Sequence, residues 1–96
     1  MSDPQIGSRV YRRLVADGIP QDAVVVSIGG DSEDELTVSV LWPAKGDYPA
    51  DDEAQGDVPS ALRYADDVAH KMRLQRVLVV IPNPSVWKPE WGTLIA

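Results

Sequence analysis

Five apolar residues run without a break from Val77 to Ile81, and four of them are β-branched. A strand with one wet face alternates apolar and polar positions. This run does not, so it predicts a central strand buried on both faces. Pro82-Asn83-Pro84 stops it. Two other stretches also carry strand patterns. Ala23 to Ile28 sets Val24, Val26 and Ile28 on one side and Ala23, Val25 and Ser27 on the other. Glu35 to Trp42 sets Leu36, Val38, Val40 and Trp42 against Glu35, Thr37 and Ser39, with Leu41 as the exception. The short polar connection through Gly29-Gly30-Asp31 joins the two runs as a β-hairpin.

Two stretches carry a helical period. Ile6, Val10 and Leu14 recur at every fourth position, with Tyr11 and Val15 beside them and Arg9, Arg12 and Arg13 on the opposite arc. Asp3 can cap such a helix, Pro4 suits its first position, and Gly18 with Pro20 ends it, which predicts a helix over about Pro4 to Asp17. The second stripe is Leu62, Ala65, Val68, Ala69 and Met72. It predicts a helix from Val58 or Ser60 to Arg73, with Arg63, Asp66, Asp67 and His70 on the wet arc.

Together these elements predict an α+β fold: a two-layer sandwich in the order α-β-β-α-β, with a further edge strand at Thr93 to Ile95. The sheet is expected to be mostly antiparallel with two helices on one face. The run at 77–81 is expected beside the first strand, with the tail at the far edge. Val25, Leu41, Leu78 and Val80 then form a second apolar face that needs cover. The Trp/Pro-rich segment 82–96 is the expected cover, and a second copy in a symmetric dimer is the alternative. The chain's 96 residues make one domain. Residues 44–57, AKGDYPADDEAQGD, are too polar to order themselves and are expected to form a mobile acidic loop.

Charge sharpens this picture. From Asp31 to Asp57 there are nine acids and one base, a net of −8, while the remainder carries six acids and eight bases. Acidity of this kind disfavours nucleic acid, because a phosphate backbone needs a basic face. No cysteine is present, which rules out disulfides and cysteine-based zinc sites. With no apolar leader and no apolar run of membrane-spanning length, the expectation is a cytoplasmic protein without membrane contact.

Candidate chemistry is sparse. His70 is the only histidine and is the first residue to consider as a general acid or base. None of Ser27, Ser39, Ser60 or Ser85 lies in a nucleophile-elbow motif. Gly29-Gly30 lacks the lysine and hydroxyl of a phosphate loop. The acids at 31–35 lack the spacing of a calcium loop. No catalytic, cofactor or metal residue is therefore assigned. Trp42, Trp87 and Trp91 are candidate partner contacts, because Trp is enriched at interface hot spots. Arg9, Arg12 and Arg13 are a second candidate set, facing an acidic partner. The reading is a small acidic non-enzymatic protein-interaction module that binds a protein partner or itself. The alternative is a small enzyme or metabolite-binding protein with a pocket near His70.

Overall fold

A computed structural model describes residues 10–14, 21–30 and 35–95. They form one mixed sheet of six strands carrying a single α-helix. The strands are β1 (Val10–Arg13), β2 (Ala23–Gly29), β3 (Thr37–Trp42), β4 (Asp51–Gln55), β5 (Arg76–Val80) and β6 (Thr93–Ile95), and the helix α1 spans Val58–Met72. Their order across the sheet is β4-β3-β2-β5-β1-β6. The β2/β3 and β3/β4 pairs are antiparallel, whereas β2/β5, β5/β1 and β1/β6 are parallel.

This architecture corrects the expected two-layer sandwich of two helices on a mostly antiparallel sheet. Residues 10–13 of the expected first helix are a strand. The rest of that helix, apart from Leu14, lies outside the described residues. Over five residues a period of two fits as well as a period of 3.6: Tyr11 is buried, while Val10 and Arg12 are exposed. Parallel partners on both sides of β1 decide in favour of the strand, and no local pattern records them. The parallel pairs also explain β5. It lies inside the sheet between β2 and β1, the environment in which strands read as continuous apolar runs. The expected neighbours β3, β2 and β5 do stand in that order.

Within the expected loop 44–57 the chain forms β4. A tight turn sets it up, in which Lys45 and Tyr48 exchange two backbone hydrogen bonds of 2.9 Å. The chain then pairs Asp51 with Trp42 and Gln55 with Val38. Asp51, Asp52 and Glu53 are charged residues on an edge strand, a common protection against stray pairing. The segment's polarity hides the strand from any reading by hydrophobic pattern.

Helix α1 follows its sequence cues. The Asp57 side chain accepts a 2.7 Å hydrogen bond from the Ser60 N–H, and Pro59 lies in the first turn. Arg73 ends the helix in the left-handed conformation, and Lys45 Nζ donates to its carbonyl at 2.8 Å. The buried stripe Ala61, Leu62, Ala65, Val68, Ala69 and Met72 packs with Val24, Val26, Val40 and Val79 in the main core.

The tail after β5 makes two single 3₁₀ turns, Pro84–Val86 and Pro89–Trp91, before entering β6. Val86 and Trp91 are buried in the same helix-side core, and Trp87 packs against it. The expected cover of the second face by this segment is therefore overturned: its tryptophans lie on the other side of the sheet. The second face carries a smaller cluster of Ala23, Val25 and Leu78, flanked by Leu14, Leu41 and Val80.

Candidate functional site

The two edges of the sheet are chemically opposite. Edge β4 presents Asp51, Asp52 and Glu53 to solvent. Edge β6 presents Thr93, Leu94 and Ile95, which carry no charge and include two β-branched residues. It pairs with β1 in the register Val10–Thr93, Tyr11–Leu94 and Arg12–Ile95, and among the described residues no strand pairs with its outer side. Large exposed hydrophobic residues gather here: Val10 is 62% exposed and Ile95 is 37% exposed, both on the face opposite α1. Arg12 stands between them.

Beside this edge the sheet splits. The pairing of β1 with β5 covers Arg12–Leu78 and Arg13–Val79 and does not reach the strands' N-terminal ends. A cleft of about 630 Å³ occupies the gap, lined by Val10, Arg12 and Ile95 on one side and by Gln75, Arg76 and Val77 on the other. Arg76 is held by Asp22 in a two-pronged contact of 2.7 and 3.1 Å. The hydrogen bonds from Arg76 hold the Asp22 carboxyl below the usual carboxylate range. A second cleft, of about 500 Å³, lies at the opposite end, between the start of α1 and the tail. Leu36, Val38, Asp57, Lys88, Glu90 and Trp91 line it. Neither lining set contains a Ser, Thr or His.

The structure separates the residues singled out by sequence. Trp91 is a core residue, 6% exposed. Trp87 meets it edge-on with ring centroids 5.3 Å apart, meets Tyr11 at 6.0 Å, and donates its Nε1–H to the Gly92 carbonyl at 2.9 Å. Trp42 is half-buried at the far side of the molecule, edge-on to Tyr64. Arg12 and Arg13 do not form one basic arc. As neighbours in a strand they point to opposite faces, and the Arg13 Nη2 donates to the Ile81 carbonyl at 2.9 Å. Arg9 lies outside the described residues. His70 is exposed near the end of α1 and lines neither cleft. Among the described residues no group of three or more His, Asp or Glu is placed to hold a metal ion. No helix among them is long and apolar enough to cross a membrane. Val10 is the residue sequence reasoning misplaced, because the helical pattern put it on a buried stripe.

Interaction of the Tyr64 hydroxyl with the Glu53 carboxylate on the acidic edge, with some desolvation, raises the phenol pKa. A phenol raised on folding gives stabilisation that is complete below its unfolded pKa of about 10 and is lost as the pH rises through the folded value. We therefore expect Tyr64→Phe to flatten the fall in stability above about pH 10. Urea midpoints on either side of that pH measure it. An identical decline in both proteins would assign the alkaline loss to other groups.

Comparison of the chain with protein-family models, with curated proteins and with solved structures finds no match.

Proposed function

We propose that this chain is a small non-enzymatic protein-interaction module that takes its partner at the β1/β6 end of the sheet. The carrying observation is the contrast between the edges: β4 is guarded by acids, whereas β6 is uncharged and lies beside exposed Val10 and Ile95. An open strand edge binds an extended partner strand through main-chain hydrogen bonds, with flanking side chains supplying selectivity. Val10, Ile95 and Arg12 are the flanking residues here. The tryptophans serve this site from behind, Trp87 and Trp91 bracing the turn that delivers β6. The absence of cysteine supports a reducing, cytoplasmic setting. His70 borders neither cleft itself, although Asp66 and Ala69 of the same helix line the larger one, and that lining carries no Ser, Thr or His for a catalytic reading to rest on.

Affinity capture from native lysate at low and high salt, read by mass spectrometry, tests this reading. A stoichiometric protein partner should be retained by wild type and by Asp52→Lys on the guarded edge, and lost by Ile95→Lys. A partner kept equally by Ile95→Lys would move the site away from β6. A blank at both salts would count against an external protein partner.

A further inference from the structure

We infer that the occupant of the β6 edge is the β6 edge of a second copy, paired antiparallel about a two-fold axis at Leu94. This deepens the interaction reading above and rests on it. The strand is its own complement. With Leu94 on the axis, Leu94 faces the partner's Leu94, and Ile95 faces the partner's Thr93. On the face opposite α1, the β1–β6 register then aligns Val10, Thr93, the partner's Ile95 and the partner's Arg12 in one row across the seam, and the symmetry repeats this row in reverse. The exposed apolar side chains Val10 and Ile95 thus flank the seam from both copies. On the helix side, Leu94 already packs against the main core, so the Leu94 pair would join the two cores.

Charge selects this edge and excludes the other. No ionisable side chain lies on β6, and in the paired arrangement the two Arg12 residues are separated by three strand spacings, about 14 Å. That exceeds the screening length of about 8 Å at physiological ionic strength. The acids of β4 lie five spacings from the seam, about 24 Å away, so the net charge of −6 opposes association weakly. Pairing of β4 with β4 would instead set Glu53 against its own copy. The closed two-fold arrangement consumes both bare edges and leaves two acid-guarded edges outside, which ends growth at the dimer.

Sedimentation equilibrium of the wild-type chain over a wide concentration range should show the mass rising from one chain to two, with little dependence on salt. In a two-fold interface each substitution acts twice, so Ile95→Lys should weaken association by roughly tenfold or more. Thr93→Lys should act in the same sense, and both positions are exposed, so circular dichroism should stay that of wild type. Because the chain has no cysteine, Leu94→Cys is a single-site reporter. Mild oxidation should cross-link it across the axis much faster than Ala54→Cys on the guarded edge. A wild-type mass of one chain at every concentration, or a dimer that folded Ile95→Lys leaves unchanged, would overturn the inference. The underlying edge reading fails separately. A one-chain mass combined with an Ile95-dependent lysate partner removes only self-pairing. A partner indifferent to Ile95→Lys removes the edge itself.

Discussion

Trp91→Ala is expected to lower the free energy of unfolding by about 3–5 kcal/mol, the range for removing a buried large aromatic side chain. The side chain is 6% exposed and edge-on to Trp87, so both burial and ring contact are lost. Its backbone closes the second 3₁₀ turn, and Gly92 beyond it takes φ 126°, a region open mainly to glycine. Trp91 therefore anchors the point at which the tail turns into β6. Urea denaturation with an unchanged slope and a lowered midpoint is the expected result. Any loss of partner binding in this variant should track the fraction unfolded. If Trp91→Ala keeps wild-type stability and yet loses its partner, the indole is a direct contact, and the bracing role assigned to it is wrong.

The second large effect is expected at Leu62. This side chain is fully buried in the second turn of α1 and belongs to the core cluster that includes Val24, Val26 and Val40. Leu62→Ala should cost about 2–5 kcal/mol, with the value set by how far the helix can settle toward the sheet. Ala61 and Ala65 beside it already bring backbone close to the sheet, which limits that settling and favours the upper part of the range. Domains of this size have a total stability of roughly 5–14 kcal/mol, so the variant should be visibly less stable at ordinary temperature. A change in urea midpoint corresponding to less than about 1 kcal/mol would show that the α1–sheet contact is loose.

The legible elements were those whose environment writes itself into a local pattern. Val77 to Ile81 read as a buried strand because parallel partners flank it and its side chains enter an apolar cluster on each face of the sheet. The stripe from Leu62 to Met72 announced α1, and the Asp57 cap and Pro59 in the first turn are signals of the same kind in the sequence that only the structure brought out. Three other features were illegible for physical reasons. At β1, Val10, Tyr11 and Leu14 satisfy a helical spacing and a strand alternation equally well, and the pairing that decides comes from residues 78–79 and 93–95. At β4, DDEAQ has neither alternation nor β-propensity; it is a strand because β3 offers an open edge and the Lys45–Tyr48 turn returns the chain to it. The tail's side of the sheet depends on Tyr11 being available to Trp87, a contact that exists only once β1 is a strand. The candidate site suffered accordingly. Treating residues 4–17 as a helix placed Arg12 and Arg13 on one arc and buried Val10, whereas the strand sends the two arginines apart and leaves Val10 at the exposed edge.

The position of β1 between β5 and β6 also bears on the route to the native state. Residues 10–13 form neither of their ladders until residues 78–79 and 93–95 have been synthesised and docked. The β2-β3-β4 meander and α1 need no such wait, since their pairings are with neighbours in sequence. Vectorial synthesis therefore yields a half-sheet first, with the inner edge of β2 uncovered, and then adds β5, β1 and β6. Contacts of such long sequence separation slow the final step and extend the lifetime of the half-formed species. Crowding of nascent chains at that stage offers β2 a competing partner from a neighbouring chain, which makes late closure the point at which this fold is most exposed to misassembly.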